Sequence, residues 1–577
     1  MATALSLLSG TEVAEPRPAA PRVGRPALVD RAGSGLALRW SGRLALLGLG
    51  GWLSLFRLST PSWGLDEPTY AAAGRAYWRG DFGPNPEHPP LAKYLIGAAE
   101  WLFGPTVTAA RLPAALMLLA TGLVAWAWLA RVGPRGAGPI AALLVWTVPV
   151  LTTFPEALDR APDTATLTRT AMLDPVAAGL ALAALAVGWW WLRSGRLPAA
   201  AACGLLSLLA CTAKLAAALI IVVPAVAGCL AVAGRPGTLP ARLGRLAAHV
   251  GAWLAAAAVA VVATYAPMGW PGALDTFRRG YAKERRHGHS GHLIVVSGRP
   301  RLHGPWWIDL AWQRASWGTA LSVVAVLAVL LGLLARSGLT AYLAAAGLLP
   351  VVALTPLTGL ALPHYLLLWR PVLIVAAVVG GTAGVRWLAG AARRGTRPPD
   401  PGWPGARRAT GIGASGIGAG GIGLGGVGVS GIGLGGVGGG GAGTRPVGAR
   451  RDAVRRAVVV AVAAVLAVPP AAAAGRSITA LATLRPTGYA ALPGLVPPGG
   501  TVWLVGDYGA GQFQLPGRRF PNLASGRADL TARPDAIVLD RGFTRRGIGA
   551  GLDTFADRYG YHLVRSGALD IWLRPRP

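Results

Sequence analysis

Apolar residues in this chain gather in long runs separated by short arginine-bearing connectors. They do not form the alternating or helical stripes of a protein folded in water. Runs close to the roughly 20 residues needed to cross a bilayer fall at about 44–58, 107–130, 137–153, 174–192, 197–212, 215–233, 246–266, 315–335, 339–356, 364–388 and 453–474. They predict about eleven helical crossings, with edges good to a few residues. An odd number places the two ends of the chain on opposite sides. Between the first two runs lies a different stretch, WGLDEPTYAAAGRAYWRGDFGPNPEHPPLAKYLIGAAEWLFG, from Trp63 to Gly104. Asp66 before Glu67 and Pro68 predicts a capped helix start, because an Asp side chain accepts the free N–H groups of a first turn and proline loses nothing there. Tyr70, Gly74 and Tyr77 then share one face. Pro89 and Pro90 predict a second helix, with Leu91, Leu95, Ala98 and Leu102 in an apolar stripe beside Lys93. Two such helices lying flat on a membrane would hold Asp66 and Glu67 at the water boundary. The plainer reading makes Asp66 a cap and Lys93 part of a solvated face.

The pattern changes at both ends. Residues 1–42 are rich in Pro, Arg and Ala and lack the order of a cleaved signal peptide, so a disordered cytoplasmic arm is expected. The membrane bundle and its loops occupy 43–390. A Gly- and Arg-rich segment, 391–452, reads as a flexible cytoplasmic linker, and no lysine follows its glycines as a phosphate-binding loop requires. A last span, 453–475, leads to 476–577, where TVWLVGDYG, PDAIVLD and YHLVRSGALDIWLRP read as strands with a helix near 549–559. A mainly α polytopic membrane protein with a small C-terminal extracytoplasmic α/β domain is the expected fold class.

Composition agrees with that class. Of 577 residues, 53% are apolar and only 14% charged, and the mean hydropathy is +0.47. The net charge of +31 would suggest nucleic acid in a soluble protein. Here the arginines sit in connectors predicted to face the cytoplasm, so the charge reports topology and no nucleic-acid partner is expected. Cys203, Cys211 and Cys229 lie in apolar runs, where packing is their expected role, with no disulfide framework or zinc spacing.

The unusual residues lie in the loops predicted to be outside. The loop at 154–173 carries Asp159, Arg160, Asp163 and Arg169, and Asp174-Pro175 then opens a helix as an ordinary cap would. Lys214 interrupts two apolar runs at the outer face, where a lysine either snorkels to headgroups or meets an anionic ligand. The loop from Pro267 to Arg314 carries Arg285, Arg286, His287, His289 and His292 among further arginines, against the positive-inside expectation. A lipid phosphate would account for that charge, and contact with anionic headgroups is the plainer account. The histidine spacing fits no standard zinc site.

Asp66-Glu67 after the first span, followed by His88-Pro89-Pro90-Leu91-Ala92-Lys93, resembles the first external loop of the protein O-mannosyltransferase and aminoarabinose-transferase group. These are membrane glycosyltransferases of the GT-C type that use polyprenyl-phosphate sugars. Arg169 ahead of Leu173-Asp174 is similar to the same group, in which this Arg and Asp belong to the active-site side. So is the glycine-histidine run Gly288–His292, with Gly298 and Pro305-Trp306-Trp307 after it. Relatives show Thr-Lys where this chain has Thr212-Ala213-Lys214, and Arg-Tyr where it has His364-Tyr365. The resemblance implies a GT-C bundle and an inverting transfer of a hexosyl unit, mannosyl by its His-Pro-Pro-Leu form, to an acceptor hydroxyl on a protein, glycolipid or polysaccharide. The resemblance names no certain cofactor beyond the polyprenyl-phosphate sugar donor, and a divalent metal stays open.

The chemistry can be stated without the family. A sugar on a polyprenyl phosphate has a stable anion as leaving group, so the needs are a carboxylate to take the acceptor proton and fixed positive charge for the phosphate. Asp66 is the candidate base, with Glu67 orienting the acceptor or substituting for it. Lys93, Arg169, Lys214, Arg285 and Arg286 are candidates for the phosphate, and His88, Asp174, His289, His292, His364 and Tyr365 for the surrounding loops. The alternatives are a transporter or flippase of a lipid-linked sugar, which would need polar residues mid-span, and an inactive assembly protein of the same fold.

Overall fold

A computed structural model describes residues 29–59, 66–134, 136–148, 169–290, 294–296, 299–358, 363–394, 447–482, 488–506 and, in part, 511–575. The chain divides at residue 50 into two units, Met1–Leu49 and Gly50–Pro577. The described part of the first unit is one helical segment. It belongs to α1 (Val29–Leu55), so helix already forms within the expected arm, where the leucines and alanines after Val29 favour it.

In the second unit, α2 (Glu67–Trp78) and α3 (Leu91–Phe103) are the two short helices expected of the first loop. Then come α4 (Val107–Val132), α5 (Ala137–Thr147), α6 (Asp174–Ser194), α7 (Leu197–Ala213), α8 (Ala218–Ala233) and α9 (Leu239–Tyr265). The segment read from sequence as the Pro267–Arg314 loop is largely structured. It forms α10 (Gly269–Ser290), a hairpin of β1 (Ile294–Val296) and β2 (Arg299–Arg301), and α11 (Ile308–Trp317). The bundle ends with α12 (Thr319–Leu334), α13 (Gly338–Thr358), α14 (Leu366–Arg394) and the 36-residue α15 (Val447–Ala482).

Each expected run holds helix, but among the described residues fewer than the eleven expected crossings are met: the run at 315–335 is broken at Gly318, and the helix in that at 137–153 ends at Thr147. Among the described residues seven helices are long and apolar enough to span, or eight if the pair α11–α12, bent by 110°, counts as one. The apolar helices Ala137–Thr147 and Leu197–Ala213 fall short of that length. Gly318 makes the bend, with φ of +78° that side chains disfavour. Tight crossings in the bundle rest on small residues, as membrane helices need. A side chain on Gly332 of α12 would strike Gly380 of α14, and one on Gly204 of α7 the Trp253 carbonyl of α9.

On helix α3 the burial pattern overturns only the plainer reading, in which Lys93 was part of a solvated face. Ala92, Lys93, Ile96, Gly97, Ala99 and Glu100 are buried, while Leu95, Trp101, Leu102 and Phe103 are exposed. The apolar stripe points away from the protein because the surroundings are lipid, and the polar positions turn inward. Lys93 is therefore no solvated face.

The C-terminal segment carries α16 (Leu492–Leu495), β3 (Val502–Val505), β4 (Ala536–Asp540), α17 (Leu552–Arg558), β5 (His562–Ser566) and β6 (Leu569–Leu573). The sheet order is β3-β4-β6-β5, with β3 and β4 parallel and the other pairs antiparallel. Trp503, Val505, Ile537, Leu539, Leu552, Ala556 and Tyr561 form its core. The three stretches expected as strands hold all four, the last of them carrying both β5 and β6, and α17 lies within the expected helix.

Candidate functional site

The site is built on the crossing of α2 and α3. A Cβ at Gly74 would lie 2.8 Å from the Lys93 carbonyl, and one at Gly97 would run into the Gly74 carbonyl. Two glycines thus let the backbones touch, which carries Lys93 across to α2. Its Nζ donates to the Tyr77 hydroxyl at 3.1 Å and to the carbonyls of Asn85 at 2.5 Å and His88 at 2.8 Å. Burial pulls the Lys93 pKa down to about 7, while three acceptors around one nitrogen match the three N–H donors of an ammonium. The charged form prevails below about pH 7, and there all three acceptors are met. Lys93 clamps the turn 85–88 onto both helices. Alongside, Arg75 bonds Glu100 at 2.6 Å, and burial, opposed by Arg75, lifts the Glu100 carboxyl to about 7.

Beneath this platform Glu67 is wholly buried. Its carboxylate accepts from Arg111 Nε at 2.8 Å, Arg111 Nη2 at 2.6 Å and the Ala171 amide at 2.6 Å. Arg111 Nη1 also donates to the Leu58 carbonyl at 2.7 Å. The pair ties Leu58, just after α1, to the first turn of α2, the start of α4 and the segment before α6. Glu67 is held by protein groups on both oxygens, which suits an anchor better than an acceptor-orienting group. Arg169 is buried nearby and donates to the Phe56 carbonyl at 2.5 Å. Burial and then the Arg111 charge lower its pKa to about 10.

Asp66 differs from its neighbour: it is exposed. It occupies the N-cap position of α2 without a side-chain capping bond, which corrects the expectation of a capping carboxylate. Instead it accepts a long bond of 3.4 Å from the Tyr70 hydroxyl. Burial first, then the charges of Asp66 and Asp174, holds the Tyr70 phenol well above its ordinary pKa, so Tyr70 stays a proton donor. The Tyr70 ring meets the edge of His88 at 5.8 Å. His88 Nε2 lies 2.9 Å from Lys283 Nζ, and Lys283 also reaches Glu87 at 3.4 Å. Burial, followed by the charges of Lys214, Lys283 and Lys93, pushes the His88 pKa far down. With the ring neutral the Lys283 ammonium donates to Nε2, which puts the ring proton on Nδ1.

The other wall comes from the bundle. The buried Asp174 carboxylate faces Lys214 at 3.5 Å without an N-cap role. Lys214 lies in the extended break between α7 and α8 and sits 4.9 Å over the Tyr365 ring. It is therefore packed inward and does not snorkel. His364 packs edge-on to Tyr365 at 4.8 Å. The exposed carboxylate of Asp66 thus shares one cluster with Tyr70, His88, Asp174, Lys214, Lys283 and Tyr365.

The remaining candidates are not gathered here. Arg285 and Arg286 are exposed on α10, and among the described residues neither has a hydrogen bond or ion pair. His289 lies on α10 with its side chain outside the described positions, and His292 and residues 149–168, with Asp159, Arg160 and Asp163, fall outside the described residues. Among the described residues no three His, Cys, Asp or Glu side chains converge as metal ligands. Sequence reasoning passed over Arg111 and Lys283. Arg111 is a lone charge inside an apolar run, which is a signal in itself. Lys283 continues the inward row Ala273, Thr276 and Gly280 at helical spacing.

No protein-family model matches the chain, and no curated protein matches it. Solved structures do. ArnT from Cupriavidus metallidurans in the apo state is similar with a TM-score of 0.50 at 16% identity, covering 94% of this chain and 98% of that one. ArnT from the same organism bound to undecaprenyl phosphate gives 0.48 at 16%, covering 93% and 98%. Arabinosyltransferase EmbB from Mycobacterium smegmatis gives 0.46 at 14%, covering 84% of this chain and 42% of that one. The likeness to apo ArnT is one of fold. The chain has the GT-C fold of membrane glycosyltransferases, a helical multi-pass bundle followed by a small C-terminal sheet.

Proposed function

We propose that this protein is a glycosyltransferase that moves a hexosyl unit, mannosyl by preference, from a polyprenyl-phosphate donor to an acceptor hydroxyl at the outer face of the membrane. The observation that carries the reading is one exposed carboxylate, Asp66, in a cluster with two cations, the buried Lys214 and the half-buried Lys283, on a GT-C fold. The acceptor oxygen attacks the anomeric carbon, the bond from that carbon to the phosphate oxygen breaks, and the configuration inverts. The hydroxyl proton passes to Asp66, whose exposure leaves room for an acceptor. The electron pair leaves with the phosphate, and the ammonium groups stabilise the anion as it forms.

Lys93 has its three donors taken up by Tyr77, Asn85 and His88, so its part is to hold His88 and the turn beneath the phosphate. Lys214 and Lys283 are better placed to bind it, with Tyr365 and His364 along the same wall. Arg169 supports the segment that Glu67 anchors. We assign the donor side to the exterior, with the N-terminus cytoplasmic and the C-terminal domain extracytoplasmic, from the arginine distribution. A protein, glycolipid or polysaccharide hydroxyl would serve as acceptor.

In vesicles supplied with polyprenyl-phosphate mannose and an acceptor extract, Asp66→Asn should lower transfer by roughly 10²–10⁴-fold while donor binding persists. Undiminished transfer would remove Asp66 as the base. Movement of the sugar lipid across the vesicle without an acceptor would favour a transporter.

A further inference from the structure

Helix α10 carries a surface that the transfer chemistry does not use. Its inward row, Ala273, Thr276, Gly280 and Lys283, packs toward the first loop, and Lys283 bonds His88 and Glu87 there. A neighbouring side bears Trp270, Leu274, Phe277 and Tyr281, at i, i+4, i+7 and i+11 and therefore on one face. Trp270 and Tyr281 are 75% and 72% exposed. Such a large aromatic row has no partner among the described residues beyond the stacking of Phe277 on Tyr265.

Two neighbouring observations say what covers it. The row follows α9 within the stretch Leu239–Lys283, which is apolar enough to span, and on α9 Leu254, Val259 and Val262 are exposed as lipid-facing residues are. Arg278 and Arg285 flank the aromatic row and are exposed, and Arg286 follows. From Gly269 to Ser290 the helix carries five lysines and arginines against two acidic residues. Aromatic rings beside arginines, directly after a span, match the headgroup layer of a bilayer containing anionic phospholipid.

We propose that α10 lies in the outer headgroup layer with Trp270, Phe277 and Tyr281 inserted, and that Arg278 and Arg285 bind anionic phospholipid. The occupant is the bilayer lipid itself, not the sugar donor. The arrangement makes α10 a lever between leaflet and site, because the helix held by lipid is also the one that places Lys283 on His88.

The full-length protein in vesicles of phosphatidylcholine alone, or with phosphatidylglycerol, provides the test. A spin label at Tyr281→Cys should report a depth at the headgroup level, against a background measured without that cysteine. Native mass spectrometry should show preferential retention of phosphatidylglycerol. In Arg278→Glu/Arg285→Glu the preference should fall at least about fivefold, each cationic charge at a membrane surface contributing about that factor. Arg558→Glu, on α17, should leave it unchanged. A label accessible only from water, or an undiminished preference in the double variant, overturns the proposal. Competition by polyprenyl phosphate but not by phosphatidylglycerol would reassign the arginines to the donor and equally overturn it.

Discussion

Replacing Arg111 by Met should destabilise the protein more than most single substitutions, and the structure gives the size. Glu67 and Arg111 have side chains only 1% and 2% exposed. Two charge-assisted bonds of 2.8 and 2.6 Å join them, and a third guanidinium bond of 2.7 Å serves Leu58. Methionine fills most of the volume but offers no donor, so the Glu67 carboxylate loses both Arg111 bonds and keeps the Ala171 amide. Removing one member of a buried pair costs roughly 3–5 kcal/mol, which is about two to four powers of ten in the unfolding equilibrium. Adding Glu67→Gln removes the stranded charge. The double variant should therefore be more stable than the sum of the two single losses predicts, by about 1.5 kcal/mol or more. Denaturant unfolding in detergent micelles, followed by tryptophan fluorescence, measures all four corners of the cycle. A loss below about 1 kcal/mol for Arg111→Met, or strictly additive single effects, would refute Glu67–Arg111 as the anchor of the site.

Two further outcomes follow from the first loop. Gly97→Val should separate α2 from α3, since its side chain would meet the Gly74 carbonyl. It should cost transfer activity at least tenfold while leaving the protein inserted, and unchanged activity would mean the crossing does not position the site. Lys93 gives a pH signature: its pKa in the folded protein is lowered to about 7 from 10.5. Below pH 7 both states hold the proton; between 7 and 10.5 the unfolded chain holds one more. Stability relative to Lys93→Met should accordingly rise with pH across that window, by up to about 1.4 kcal/mol per pH unit. Thermal unfolding from pH 6 to 9 tests this, and a flat difference would contradict it.

The positions of the spans were legible because a helix crossing lipid must be apolar for most of its length, and a fold surrounded by water rarely carries so many runs of that kind. The sides of the short helices were less so. On α3 the outward stripe of Leu95 and Leu102 was legible once the helix was laid on a membrane, but the burial of Lys93 was not, because its acceptors are on α2 and in the turn 85–88. The fate of Glu67 was hidden for another reason. Its partner Arg111 lies 44 positions away and its third donor, Ala171, 104 away, so no local spacing announces them. Lys214 and Asp174 were visible as unusual charges, but only the break between α7 and α8 brings them to 3.5 Å. Lys283 was concealed among arginines that attracted the phosphate assignment, although its phase on the helix distinguished it.

The 36-residue α15 bears on how anything large reaches this protein. From Ala482 to Gly488 the chain advances six residues, at most about 22 Å when drawn out straight, so the terminal sheet is kept on a short leash at the bilayer. It cannot swing far into bulk solvent to fetch a polymer. On the proposed function, lengthening that connection with a flexible insert should alter which acceptors are modified before it alters how fast.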